Sequence, residues 1–148
     1  MAKRKSLWKF LWILYLGIMI ILLFCRSRGI PDGFTYWEAV KHNRNLNPFY
    51  TIENYMSVVL HRPDSPYFAK CLTELLGNFL LFVPGGFLLP KVFPKLRKFL
   101  PFLFTAALSV ILIETVQLIT LLGYFDVDDM ILNFPGMILG YILFRCFH

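Results

Sequence analysis

The sequence predicts an all-α, polytopic integral membrane protein: a bundle of about four transmembrane helices with a short amphipathic helix in the first extracellular loop. Three observations predict it. Apolar residues come in blocks long enough to cross a bilayer. Basic residues cluster beside those blocks, at Lys3, Arg4, Lys5 and Lys9 and again at Lys91, Lys95, Arg97 and Lys98. Hydrophobic residues make up 57% of the 148 and charged residues 16%, against roughly 45–50% and 25% in a soluble domain. Since the surplus sits in blocks, it is lipid-facing surface and not an oversized core. The length suits one membrane domain, 1–148.

The first span is 7–24, an apolar run behind a basic start. It resembles a signal peptide in length, but Cys25, Arg26, Ser27 and Arg28 follow it with no small-residue cleavage site, so the helix is retained. Residues 25–73 form a long polar loop. Thr35 with Glu38 makes a capping box for a short helix entering Ala39 and Val40. Residues 43–48 are irregular. Thr51 then caps an amphipathic helix whose apolar positions, Ile52, Tyr55, Met56, Val59 and Leu60, fall on one stripe. At about three turns it is too short to span, and His61-Arg62-Pro63 ends it.

The second span is 75–93, interrupted by Pro84-Gly85-Gly86, so that a kink and a partly re-entrant path are both open. The third, 99–122, carries Glu114 and Gln117. The fourth, 130–147, carries Asn133, Pro135, Gly136 and Gly140. Of Cys25, Cys71 and Cys146, the first two fall at the same membrane surface; a bridge between them is one reading and three unpaired thiols the other, the second favoured by the lack of a disulfide framework. Positive charge sets the orientation. With the start, the 91–98 loop and Arg145 inside, every inner segment is basic, and the outer 123–129 turn holds Asp126, Asp128 and Asp129 with no cation. Both termini are therefore expected in the cytoplasm of a multi-pass cell-membrane protein.

The net charge of +6 raises the question of nucleic acid, but the cations flank membrane blocks and touch lipid headgroups instead. No nucleic-acid partner is expected; membrane lipid is. The polar residues inside the spans carry more information. Glu114 lies roughly 22 Å along its helix from Phe99, in the outer leaflet, with Gln117 on the same face. Asn78 lies one turn below Glu74, and Asn133 one turn below Asp129. Three helices thus each carry a carboxylate and an amide at similar depth. An Asp or Glu in a span costs about 3 kcal/mol and usually faces the bundle interior.

The predicted site is therefore an outward-facing polar pocket of Asn78, Glu114, Gln117, Asp126, Asp128, Asp129 and Asn133. Each has a plainer reading. The amides can be hydrogen-bonding glue between helices, and Asp128 or Asp129 can cap the fourth helix. Gly136 and Gly140 read as close helix packing. Asp126, Asp128, Asp129 and Glu114 offer oxygens to a hard cation, though not at EF-hand spacing. No Ser/His/Asp, Cys/His or HExxH pattern occurs. No catalytic group, cofactor or metal set is expected, and the reading points away from an enzyme. A further option is recognition of an ammonium or amide group on a ligand arriving from outside.

These residues, in their order, resemble the VanZ-like family. The resemblance begins at Arg44-Asn45-Leu46-Asn47-Pro48-Phe49 with Thr51-Ile52. It strengthens through Gly77-Asn78, Leu81-Phe82-Val83-Pro84, Gly86 and Leu88-Leu89-Pro90. It continues at Glu114, Gln117, Phe125-Asp126, Asp128-Asp129, Asn133, Gly136 and Gly140. The departures are Gly123-Tyr124-Phe125, where many members carry an Arg, and Pro135, where a small polar residue or Leu is more usual. The family is named for a protein that lowers susceptibility to the glycopeptide antibiotic teicoplanin. The resemblance thus implies a bacterial envelope protein that modulates glycopeptide susceptibility, or a related envelope function, with an antibiotic or envelope-derived ligand reaching the pocket from outside. Two alternatives stay open: a membrane enzyme acting on lipid or a lipid-linked cell-wall precursor through a carboxylate site holding a metal, and a small proton-linked transporter with Glu114 as relay.

Overall fold

The structure is a computed structural model that describes residues 2–25, 30 and 32–147, with side chains from Lys5 onward. Arg26, Ser27 and Arg28, which argue against signal-peptide cleavage, lie outside the described residues, as do the side chains of Lys3 and Arg4. The elements run α1 (Ala2–Phe24), α2 (Tyr36–His42), β1 (Arg44–Asn45), α3 (Tyr50–His61), α4 (Phe68–Val92), a 3-10 turn (Pro94–Arg97), α5 (Phe99–Thr120), β2 (Phe125–Asp126) and α6 (Val127–Cys146). Among the described residues, four helices are long and apolar enough to cross a membrane: Lys5–Phe24 within α1, and the whole of α4, α5 and α6. The chain is a multi-pass membrane protein.

Helix α4 answers the question left open by Pro84. It is one continuous helix of 25 residues through both Pro84 and Pro90, about 37 Å long, long enough to cross in a single pass and without the break that a re-entrant path needs. Its glycines explain how it packs. Between helices in lipid there is no hydrophobic gain, so close backbone approach must supply the attraction. A Cβ added to Gly86 would collide with the Met137 carbonyl of α6, and one added to Gly140 with the Val83 carbonyl of α4. Gly136 meets Phe79 in the same way. These three glycines seat α4 against α6 along their length.

Around this pair Phe82, Phe102, Val110, Met137 and Phe144 form the buried centre. Tyr141 stacks on Phe102 with ring centroids 4.3 Å apart, and its hydroxyl donates to the Arg97 carbonyl at 2.7 Å. That bond fixes the basic 3-10 turn to the bundle. Helix α1 is attached more lightly. Met19 is its one buried side chain among the described residues. Tyr15 donates to the Leu81 carbonyl at 3.1 Å, and Leu23 accepts from Gln117 Nε2 at 3.0 Å.

The opposite end of the bundle from the 3-10 turn is covered by α2, α3 and a two-residue parallel ladder, in which Arg44 pairs with Phe125 and Asn45 with Asp126. Strands this short have no period to read, so the sequence predicts a plain loop there. The Thr35–Glu38 capping box forms: Glu38 Oε2 accepts from Thr35 N at 2.8 Å, and Thr35 Oγ1 accepts from Glu38 N at 3.4 Å. The exposed Glu38 carboxyl is held below its ordinary value by these Thr35 donors. Thr51, in contrast, does not cap α3. The helix begins after Phe49, whose left-handed backbone (φ 67°) turns the chain, and no side chain of its own caps it. Ile52, Tyr55 and Val59 are half-buried, whereas Met56 and Leu60 stay exposed. The cysteines are free, Cys71 buried and Cys25 and Cys146 exposed.

Candidate functional site

The covered end encloses a polar cavity of about 520 Å³. Each of its walls follows from helix spacing. On α4, Lys70, Glu74 and Asn78 recur every four residues and so share one face, with Lys70 about 12 Å nearer the helix start than Asn78. On α6, Asp129 and Asn133 do the same one turn apart. Glu114 and Gln117 enter from α5, and Asp126 from the turn before α6.

Carboxylates and amides pair across helices. Asn78 Nδ2 of α4 donates to Asp129 Oδ1 of α6. Asn133 Nδ2 of α6 donates to Glu114 Oε1 of α5 at 3.3 Å, and Asp126 N reaches Glu114 Oε2 at 3.4 Å. Glu114 is 2% exposed and Asn133 also 2%. The second polar atom of the Asn133 amide, Oδ1, is buried with no hydrogen-bond partner among the described residues. Buried polar atoms in native proteins are seldom left so.

Asp126 is satisfied by neutral donors: Thr51 Oγ1 at 2.7 Å, Asn45 Nδ2 at 3.2 Å and Asp128 N at 2.9 Å. The last of these makes Asp126 the N-cap of α6, a role the sequence offers to Asp128 or Asp129.

Of the seven predicted residues, six line this one cavity and Asp128 does not. Asp128 is fully buried. Its Oδ1 accepts from Phe49 N at 2.5 Å, and its Oδ2 from Thr51 N at 2.7 Å and Ile52 N at 3.0 Å. It caps α3 from another helix, so its oxygens are taken by backbone. The four-carboxylate set that the sequence offers a hard cation is thereby broken, and among the described residues no group of three or more His, Cys, Asp or Glu is placed to hold a metal ion.

The predicted site left out Arg44, Lys70 and Tyr55, all of which line the cavity. Lys70 was readable from its four-residue step to Glu74. Arg44 was not, because the β1–β2 pairing that brings it there leaves no pattern. The Tyr55 hydroxyl is pushed above its ordinary value, by burial first and then by the negative charges of Glu74 and Asp129. It therefore stays a donor. The finished cavity has acceptors at its floor, in Glu114, Asp129 and Asn133, and the exposed cations Arg44 and Lys70 nearer its mouth.

No solved structure matches the chain. Protein VanZ of Enterococcus faecium is 32% identical to it over 141 residues, which is 95% of this chain and 74% of that protein. The family model described as VanZ/LLP1 matches residues 12–148, a stretch that takes in every cavity residue named above. The chain belongs to the VanZ/LLP1 family.

Proposed function

We propose that this protein lowers the susceptibility of the bacterial envelope to glycopeptides of the teicoplanin type, acting through the polar cavity and without catalysing a reaction. In this reading both termini are cytoplasmic and the cavity opens outward. Lys5, Lys9, Lys91, Lys95 and Lys98 gather at the end of the spans away from the cavity, and basic ends favour the cytoplasmic side. A ligand from the envelope or the antibiotic itself would meet Asn78, Glu114, Gln117, Asp126, Asp129 and Asn133. Asp128 acts on α3 and shapes the entrance.

The observation that carries the reading is the pairing of two carboxylates with two amides, from three helices, around one cavity in a relative of VanZ. Acids within a span are costly and usually mark a functional site. The test is growth in teicoplanin with wild type, Glu114→Gln and Asp129→Asn at matched expression. Wild type is expected to protect and both variants to lose most protection. Equal protection by all three would take the cavity out of the mechanism, and no protection by wild type would end the reading.

A further inference from the structure

Gln117 bonds the Leu23 carbonyl at the point where two unlike cavities meet. Above is the polar cavity; below, between α1, α4 and α5, lies an apolar crevice of about 200 Å³. Leu23 lines both. The crevice walls include Leu16, Met19, Phe82 and Ile113. Its hydroxyls are already used inside the protein, Ser109 donating to the Thr105 carbonyl and Tyr15 to that of Leu81. The crevice therefore offers a ligand mostly apolar surface, with the Trp12 indole among its walls. A water-soluble ligand gains nothing from it, whereas an alkyl chain does.

The floor of the upper cavity specifies the other end of such a molecule. The Asn133 amide spends its Nδ2 on Glu114, so the group missing beside its orphaned Oδ1 is a donor, not an acceptor. Glu114 accepts only long bonds from Asn133 and Asp126, and Asp129 stands one helical turn from Asn133. A primary ammonium carries three donors and a positive charge, matching three acceptors of which two are carboxylates. A quaternary ammonium carries no donor. At the mouth, Arg44 and Lys70 suit a phosphodiester.

We propose that the cavity and crevice together hold one membrane lipid whose headgroup ends in a primary ammonium, with an acyl chain between α1 and α5. This rests on the reading of the cavity as the working site, and it names the chemistry of what enters. The headgroup inserts sideways past Leu22 and Leu23, its ammonium at Glu114 and Asn133 and its phosphate toward Lys70. The light attachment of α1 leaves that side open to the bilayer.

The test is native mass spectrometry of the full chain in detergent, exchanged against phosphatidylethanolamine, phosphatidylcholine and phosphatidylglycerol of identical chains. The ethanolamine lipid is expected to be retained at least tenfold over the other two. Glu114→Gln and Asn133→Leu should each bring that ratio near one. Ile113→Phe and Leu16→Phe, which narrow the crevice from opposite walls, should lower retention of the whole lipid while leaving the binding of glycerophosphoethanolamine itself unchanged. Thermal unfolding of each variant identifies any that fail to fold. Equal retention of choline and ethanolamine lipids would overturn the proposal, as would glycerophosphoethanolamine displacing the lipid at equal concentration, since the crevice would then have no part. Lipid preference with undiminished teicoplanin protection in Glu114→Gln and Asp129→Asn would uphold the lipid site and take the cavity out of the resistance mechanism. Lost protection without lipid preference would do the reverse.

Discussion

Replacing Asp128 should unfasten α3 while leaving α6 in place. The Asp128 carboxylate takes three backbone N–H groups at the start of α3, two on Oδ2 and one on Oδ1. Hydrogen bonds to a charged group are worth about 1.5–3 kcal/mol each. The full sum overstates the loss, because Phe49 is exposed and Thr51 and Ile52 only half-buried, so water can reach the freed amides. Asp128→Ala should therefore cost about 3 kcal/mol, between one lost N-cap and three lost charged bonds. Asp128→Asn keeps one acceptor for Thr51 and Ile52 but turns an NH2 toward Phe49, at about half that cost. Amide hydrogen exchange in nanodiscs reads this directly. At 1.4 kcal/mol per tenfold, Thr51 and Ile52 should exchange about a hundredfold faster in Asp128→Ala. The α6 amides should not change, since Asp126 caps that helix. Unchanged exchange at Thr51 and Ile52 would refute the assignment of Asp128 as the cap of α3.

Gly86→Ala and Gly140→Ala each drive a Cβ into a backbone carbonyl that cannot move aside, and should lower stability by about 2–3 kcal/mol. Gly77→Ala is the control: its Cβ would find only Thr73 Cγ2 at 4.0 Å, so thermal unfolding should separate it from the other two. Glu38 gives a pH dependence. Its carboxyl is depressed below the ordinary 4.5, so the capping box is intact above that value and is lost as pH falls through the depressed one. Exchange at the Glu38 amide should accelerate there, and Glu38→Gln should remove the dependence.

The spans were legible because each is a block of apolar residues longer than a soluble helix needs. Their ends were less so: α4 begins at Phe68 and α6 at Val127, both earlier than apolar residues alone suggest. Each added turn carries polar residues because it lies at the cavity end of the bundle and not in lipid. Depth arithmetic brought Asn78, Glu114, Asp129 and Asn133 together correctly, since a helix fixes both height and face. It failed at Asp128, whose neighbour in space is the start of α3, a short helix outside the spans. Within the turn, Asp126, Asp128 and Asp129 differ only in which way the chain points them, and β1–β2 pairing sets that direction. No spacing rule separates the N-cap of α6 from the cap of α3 or the partner of Asn78. Thr51 was misread for the same reason: a Thr before an apolar stripe is a cap signal, but its hydroxyl is engaged by Asn45 and Asp126.

Glu114 tests whether the cavity exists for stability or for use. A structural carboxylate would be expected to hold short bonds from strong donors. Glu114 instead accepts at 3.3 and 3.4 Å from an amide and a backbone N–H while 2% exposed. Charged groups inside a span cost about 3 kcal/mol on insertion scales, and two long bonds offset little of that. Glu114→Gln keeps the side-chain shape and an acceptor oxygen while removing the charge. Its stability should be unchanged or higher, by up to about 2 kcal/mol, or roughly 4–8 °C in a chain of this size. The same substitution should abolish protection in the growth assay, so stability and function should move apart. Thermal unfolding in detergent and teicoplanin growth, measured on one variant, decide it. A fall of several degrees in Glu114→Gln would make the carboxylate a strut of the fold, and any loss of protection would then report only a damaged protein.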